Sequence, residues 1–240
     1  MEEKRTKGES KMNTTADEME LEWLKMEDPE RFSKKAKQFS DAMMIYRCAI
    51  REVQTKLEVL DDEFSVRHRR NPIVSIKTRV KKPLSIGRKL EVNNLPFTVE
   101  SMIGNLHDVA GIRVICAFID DIYHIAQMLS QQDDVRVLRI KDYIEKPKPN
   151  GYRSYHMIIE IPVFFSDRKQ YVKVEVQIRT MAMDFWASLE HQIRYKKEIA
   201  GQDDLEVISR ELTECAEIIA HTDVRMQNIK EMIGEFSKID

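Results

Sequence analysis

The stretch KVEVQIRTMAMDFWASLEH, residues 173–191, decides the fold. Val174, Val176 and Ile178 alternate with Glu175, Gln177 and Arg179. A period of two marks a β-strand with two unlike faces, because successive side chains point to opposite sides of a sheet. One face is aliphatic and needs a core. The other sets a carboxylate, an amide and a guanidinium in line, about 7 Å apart. Thr180 is placed to cap a helix, on which Ala182, Phe185, Trp186 and Leu189 form an apolar stripe. Any half-exposed strand shows the same alternation, so what the polar face does depends on its neighbours.

Outward from this strand the chain alternates strand and helix patterns. IVSIKTRVKKPLSIGRKL (73–90) opens as a short strand and becomes a helix; VAGIRVICAF (109–118) is a largely buried strand. A helix follows from Asp120 to Ser130, capped by Asp120 or Asp121. Val135 to Tyr143 is a third strand and PKPNG a loop. Tyr155 to Pro162 and Tyr171 to Arg179 are two more strands, joined by a turn near Ser166 and Asp167. Long amphipathic helices flank this centre. One runs from Asp28-Pro29 to about Arg70. The other, about 203–236, has Leu205, Ile208, Leu212, Cys215, Ile219, Met226, Ile229 and Ile233 on one face. The pattern predicts an α+β fold: one mixed sheet of four to five strands between long N- and C-terminal helices. The expected divisions are a disordered or short helical extension at 1–28, a helical region at 29–72, a core at 73–200 and a C-terminal helix at 201–240. Such flanking helices suit packing on the sheet or on another subunit.

Composition excludes several classes. The chain has 240 residues, 33% of them charged, yet a formal net charge of −2, so no global field draws it to nucleic acid or membranes. The N-terminus, MEEKRTKGESKMNTT, has no apolar segment and is not a secretory signal; no run is long enough to span a membrane. Cys48, Cys116 and Cys215 are far apart in apolar surroundings and read as reduced core thiols of a cytoplasmic protein.

The charge is nevertheless uneven. Arg67 to Leu90 holds no acidic residue but nine Lys and Arg residues. Arg79 and Lys81 alternate in strand fashion, while Ser85 and Lys89 lie one turn apart on a helix, which suits a chain of phosphates. No aromatic residue interrupts the tract, as base stacking along a nucleic acid would require. A solvated helix end has the same composition. Asp108 precedes the strand that carries Arg113, and Glu175 lies on another strand. Such a carboxylate pair beside phosphate-binding cations suits Mg²⁺. KPNGYRSYH (148–156) supplies Lys148, Arg153 and His156 as anion partners and Tyr152 as a stacking surface, although a tight turn with buried tyrosines would look similar. His107-Asp108 does not make a metal phosphohydrolase site, because the helical first third offers only His68 as a partner.

Together, RVKKPLSIGRKL (79–90), HDVAGIRVICAF (107–118), KDYIEKPKPNGYRSYHMIIE (141–160) and VEVQIRTMAMDFWASLEH (174–191) resemble the synthetase domain of the RelA/SpoT family. The similarity is to its small alarmone synthetases and covers about residues 40–230. KPNGYRS and AMDFWASLEH look closer to the RelP-like branch than to the RelQ-like one. The resemblance implies a nucleotidyltransferase-like sheet and transfer of pyrophosphate from ATP to the ribose 3′-OH of GDP or GTP, with Mg²⁺ as cofactor. It implies that Arg79 and Arg113 flank adenine, and that Lys81, Ser85 and Lys89 hold the ATP phosphates. Asp108 and Glu175 would bind the metal, with Glu175 also taking the 3′-OH proton. Tyr152 would stack on guanine, Lys148 and His156 would meet the acceptor's phosphates, and Gln177 would orient its nucleoside. Arg179 would support the strand end. Asp184, where some members carry Asn, and Glu190 fall on the guanine side. LEVNNLP, after Lys89, has fewer basic residues than in some members. Nothing resembles the hydrolase or regulatory modules of long members, so a synthetase alone is expected, as a homotetramer through its terminal helices and without obligate nucleic acid, though compatible with RNA regulation. The alternatives are an RNA-binding regulator using the patch at 67–89 and a catalytically inactive helical scaffold.

Overall fold

Strand β5 (Lys169–Thr180) lies at the centre of a five-stranded sheet, its aliphatic face in the core. The computed structural model describes residues 29–196 and 202–236. The extension expected at 1–28 lies outside the described residues. By its contacts the chain divides into two units, 1–42 and 43–240, and the site belongs wholly to the second.

The order of elements is α1 (Pro29–His68), β1 (Ile73–Val80), α2 (Pro83–Val92), α3 (Val99–Asn105), β2 (Ala110–Cys116), α4 (Ile119–Ser130), β3 (Arg136–Asp142), β4 (Tyr155–Phe164), β5, α5 (Met181–Lys196) and α6 (Gln202–Phe236). The sheet runs β1-β2-β5-β4-β3. Only β2 and β5 pair in parallel; the other three pairings are antiparallel. The expected mixed α+β sheet is therefore present, with five strands.

Val174, Val176 and Ile178 are fully buried, together with Ile112 and Val114 of β2 and Met157, Ile159 and Ile161 of β4. Ile122, Ile125 and Leu129 of α4 are equally buried, and α4 packs on β5 and β2. From Met43 onward α1 adds Ala49, Val53, Leu57 and Leu60 to the core. Its C-terminal half is fastened by Lys56 to Asp134 at 2.7 Å. Arg69 leaves the helix in the left-handed region (φ 54°). Arg70 then pairs with Asp121 at 2.6 Å.

Four local expectations need correction. Neither Asp120 nor Asp121 caps α4: Phe118 holds the cap position without a side-chain bond, and both acids sit in the first helical turn. They are drawn inward by Arg70 and Lys230, so Asp121 is fully buried as an ion pair. On α5, Thr180 does cap, accepting from the Met183 amide at 3.1 Å. The apolar stripe is rotated, however: Met183 and Trp186 are buried, while Phe185 and Leu189 are exposed. The reason is Trp186, whose Nε1 donates to the Leu212 carbonyl of α6 at 2.8 Å and turns that face inward. On α6 the buried residues among those described, 206–233, are Ala216 and Asp223, and Cys215, Met226 and Ile229 are exposed; Leu205 of the expected row lies outside them. The expected row is thus only partly turned inward: Ile208, Leu212 and Ile219 are half-buried, and polar pairs fix the helix instead, Thr180 donating to Asp223 at 2.6 Å and the Asp120 amide to Gln227. Of the three thiols only Cys116 is buried; Cys48 is intermediate. Helix α3 is an addition to the expected elements. Its signal was Thr98, whose hydroxyl accepts from the Ser101 amide.

Candidate active site

Strand register sorts the polar side chains into rows, because residues paired across neighbouring strands share a face. Arg79 pairs with Gly111, Gly111 with Glu175, and Glu175 with Ile158. One step along, Lys77, Arg113, Gln177, His156 and Lys141 form a row across all five strands. Gly111, with no side chain, leaves the floor open between the guanidinium of Arg79 and the carboxylate of Glu175.

Asp108, just before β2, is enclosed by cations. Its Oδ2 accepts from Lys81 at 2.5 Å and from Lys89 at 2.6 Å. The backbone explains how both lysines reach it. The Lys81 amide donates to the Val109 carbonyl, extending the β1–β2 ladder by one bond, and Pro83 then starts α2, which presents Lys89 two turns later. Burial pushes the Asp108 carboxyl up, but the two lysines outweigh it and hold it below the usual range. Its other oxygen, Oδ1, is buried with no hydrogen-bond partner. Ser85 is exposed on the same helix, and Arg79 is exposed at the end of β1.

Glu175 is held from the opposite side. Its Oε2 accepts from Gln177 Nε2 at 3.0 Å, and its Oε1 lies 3.4 Å from His156 Nδ1. Burial pushes the Glu175 carboxyl up, but the hydrogen bond and charge of His156 and the bond from Gln177 together outweigh it and leave a net depression. Asp108 is near enough for its charge to oppose that depression, so the two carboxylates share one electrostatic environment. Both supports of Glu175 lead back to Arg179. Arg179 donates to Gln177 Oε1 at 3.0 Å and to the Tyr152 hydroxyl, which meets His156 Nε2 at 2.8 Å. The assignment that satisfies every group has Tyr152 donating to His156 and His156 donating to Glu175. Arg179 is 3% exposed, and burial lowers its pKa. Ser154 and Asp184 take its remaining donors, at 3.2 and 3.4 Å.

The loop 148–154 presents Tyr152 to this network. Gly151, at φ 83°, makes the turn, and its amide donates to the Lys148 carbonyl at 2.8 Å. Lys148 lies 4.8 Å from the Tyr152 ring centre, and Arg179 lies 5.0 Å from it. Glu190 meets the Asn150 side chain at 3.4 Å, beside the same loop. Arg153, read as an anion partner, points elsewhere: its Nη1 donates to the carbonyls of Gly151 and Ala216, at 3.1 and 3.3 Å. Tyr152 meets His156, whereas the Arg153 side chain turns towards α6.

Asp184 stands among the cations of β1, β2 and β5, bonded to Lys77 at 3.0 Å and Arg113 at 3.1 Å besides Arg179. Arg113 keeps one buried donor, Nε, without a partner. Lys141 of β3, at the end of the His156 row, and Arg139, two residues before it, are exposed cations that the sequence reading passed over. The alternation Arg139-Ile140-Lys141 was the signal for them.

Two other features lie apart from these residues. A cavity of about 610 Å³ between α1 and α4 is lined by Phe64, His68, His124 and neighbours, and by none of the polar-face residues of the sheet. Asp120, Asp121 and His124 have ligand atoms within 4.8 Å of one another, but Lys230 and Arg70 already neutralise the two acids.

The polar face thus joins converging cations, two carboxylates with depressed pKa values and an aromatic ring backed by cations. That inventory suits the handling of two nucleotides. A family described as a region found in RelA / SpoT proteins matches residues 78–200, which include Asp108, the 148–154 loop, Glu175 and Asp184. GTP pyrophosphokinase YwaC of Bacillus subtilis is 44% identical over 195 residues, 81% of this chain and 91% of that protein. The crystal structure of small alarmone synthetase 2 from Bacillus subtilis superposes with a TM-score of 0.70 at 44% identity, covering 79% of this chain and 97% of that one. Small alarmone synthetase 1 of the same organism, bound to its product pppGpp, gives a TM-score of 0.74 at 32% identity, over 82% of this chain and 99% of that one. With the fold, the length of the match and the four sequence blocks in agreement, the chain belongs to the RelA/SpoT family.

Proposed function

We propose that this chain is a GTP pyrophosphokinase of the small alarmone synthetase kind, transferring the β,γ-pyrophosphate of ATP to the 3′-OH of GDP or GTP. The observation that carries the reading is Glu175. It stands in one row with Gly111 and Arg79, and both of its oxygens are held by side chains that lead to Tyr152. A base so placed lies between a cationic phosphate cradle and a stacking residue.

The mechanism follows from these positions. Lys81, Ser85 and Lys89 take the ATP phosphates, the lysines exchanging part of their hold on Asp108 for phosphate oxygens. Arg79 and Arg113 bracket the adenine. Tyr152 stacks on guanine, Lys148 and His156 meet the acceptor's 5′-phosphates, Gln177 steadies the nucleoside, and Asp184 and Glu190 bound that side. The 3′-oxygen attacks the β-phosphorus, the bond to the α-phosphate's bridging oxygen breaks, and AMP leaves. Glu175 accepts the 3′-OH proton, and its depressed pKa keeps it ionised at neutral pH. Transfer of this kind asks for positioning and charge neutralisation, which is what the cations supply.

A divalent cation fits the donor set. Asp108 Oδ1 is a buried carboxylate oxygen with no partner, and Glu175 is close enough to feel its charge. Asp108 and Glu175 would hold Mg²⁺, which when bound supplies positive charge to the phosphates in transfer. Exposed apolar residues on α6 (Ile218, Val224, Met226) and on α1 (Val59, Val66) suit assembly into a homotetramer. No helix among the described residues is long and apolar enough to cross a membrane, in keeping with a cytoplasmic enzyme.

The test is to incubate the purified chain with ATP, Mg²⁺ and either GDP or GTP and to separate nucleotides by anion exchange. A more highly phosphorylated guanine nucleotide appearing with AMP is expected, and the faster acceptor sets the preference. Unchanged nucleotides across a range of metal and acceptor concentrations would overturn the reading.

A further inference from the structure

Helix α6 approaches the acceptor loop unusually closely at Gly151. A side-chain carbon at Gly151 would lie 2.4 Å from the Cβ of Ala216, well inside van der Waals contact, with the Thr213 backbone 3.7 Å away. Ala216 is 3% exposed. On either side of the contact Arg153 ties loop to helix, donating to both the Gly151 and Ala216 carbonyls. The seat of α6 is fixed independently of the loop. Trp186 holds the Leu212 carbonyl at 2.8 Å, one turn before Ala216, and Thr180 holds Asp223 at 2.6 Å, two turns after it. The helix is thus pinned to α5 and to the end of β5, and the loop rests on it between the pins.

We propose that Ala216 and Arg153 form a positioning device that sets the height of the 148–154 loop, and with it the acceptor-binding ring of Tyr152. The inference rests on the reading of Tyr152 as the acceptor's stacking residue. Gly151 adjoins Tyr152, so a displacement at the contact reaches the ring without passing through any flexible segment. Only the Ala216 methyl separates loop from helix, so a branched residue at 216 crowds the loop, whereas a single added atom can turn away from Gly151. The donor side has no part in this contact: Lys81, Lys89 and Asp108 sit on β1, α2 and the entry to β2. The device therefore separates acceptor binding from ATP binding. It also places acceptor affinity under the control of a helix whose other faces carry exposed apolar side chains, Ile218 and Val224 among them.

The experiment compares wild type with Ala216→Val, Ala216→Ser and Arg153→Met. It reads thermal stability, the Kd of GDP alone by calorimetry, and steady-state KM for each nucleotide. Ala216→Val should weaken GDP binding and raise the acceptor KM about tenfold, the order of loss that a displacement of a fraction of an ångström produces. The KM for ATP should stay within about twofold, and kcat at saturating acceptor should be close to wild type. Ala216→Ser, which adds one small atom, should behave nearly as wild type. Arg153→Met keeps much of the side-chain bulk while removing both hydrogen bonds, and should move the same acceptor constants; it decides the matter if Ala216→Val fails to fold. A folded Ala216→Val or Arg153→Met with unchanged GDP affinity, or one in which both KM values rise together, would overturn the proposal. Wild type that binds GDP without releasing AMP would sink the activity while leaving the GDP comparison readable. Wild type that binds no guanine nucleotide would overturn both.

Discussion

Donor and acceptor sides of the polar face are built by different means. The donor side rests on β1, α2 and the entry to β2, and its lysines are gathered before any ligand arrives: Lys81 and Lys89 share one oxygen of Asp108, leaving a surplus of positive charge. The acceptor side rests on a loop propped by a helix more than sixty residues away in sequence, and its hydrogen bonds run as a relay from Arg179 to Glu175. A cradle for phosphates needs only cations at fixed spacing, which a strand and a helix encode locally. Holding a nucleoside so that one particular hydroxyl meets a base needs a surface positioned from several directions.

Substitutions can break this contrast, beginning with the residue where the two sides meet. Glu175→Gln should lower kcat by about two to four orders of magnitude, the size of a general-base contribution. Its melting temperature should hardly change, since that face is polar already. Near-normal turnover would remove Glu175 from the chemistry. Asp108→Asn comes next, with an expected loss of about 10²–10³ in kcat, comparable to removing one preorganised charge from a transition state. Loss confined to the ATP KM would instead make Asp108 a phosphate-side brace only. Tyr152→Ala should raise the KM for GDP or GTP by about 5- to 100-fold, as expected for one lost base–aromatic stack, and lower kcat as well through the loosened His156 and Arg179, while sparing the ATP KM. A parallel rise in the ATP KM would show that the two sides are not separable.

The smallest effect concerns two acids of opposite sign. Lysines depress the Asp108 carboxyl, so its stabilising contribution is present above its unfolded pKa and is lost as pH falls through the folded value. Asp223 is the reverse. Burial raises its carboxyl despite the bond from Thr180, so the folded state holds the proton more tightly than the unfolded one. Its cost appears as pH rises through the unfolded pKa and is complete above the folded one. Asp223→Asn should therefore raise the melting temperature slightly at pH 7 and leave it unchanged near pH 3. A rise of equal size at both pH values would mean the gain is not electrostatic.

Much of this was legible in the chain, for physical reasons. Alternation along 174–179 gave β5 and its polar face, since period two follows from backbone geometry. Lys81, Ser85, Lys89 and Asp108 could be found because local elements present them. The buried face of α6 could not. Helical periodicity marks apolar rows, but which row turns inward was decided by Trp186, Thr180 and Gln227, polar partners brought together only by the fold. Arg153 differs from its expected role for a related reason: a cation beside Tyr152 looks like an anion ligand until the fold brings the Ala216 carbonyl of α6 to it. Asp120 and Asp121 look like caps, and the ion pairs that draw them inward come from Arg70 and Lys230, far away in sequence.

The central claim is that a ribose 3′-hydroxyl, delivered by the acceptor side, takes pyrophosphate from ATP on the donor side. The most direct measurement follows AMP release from ATP and Mg²⁺ with no acceptor, with GTP, and with 3′-deoxy-GTP. The account predicts AMP only with GTP, mole for mole with a 3′-diphosphorylated product. AMP released equally with 3′-deoxy-GTP, or without any acceptor, would contradict it.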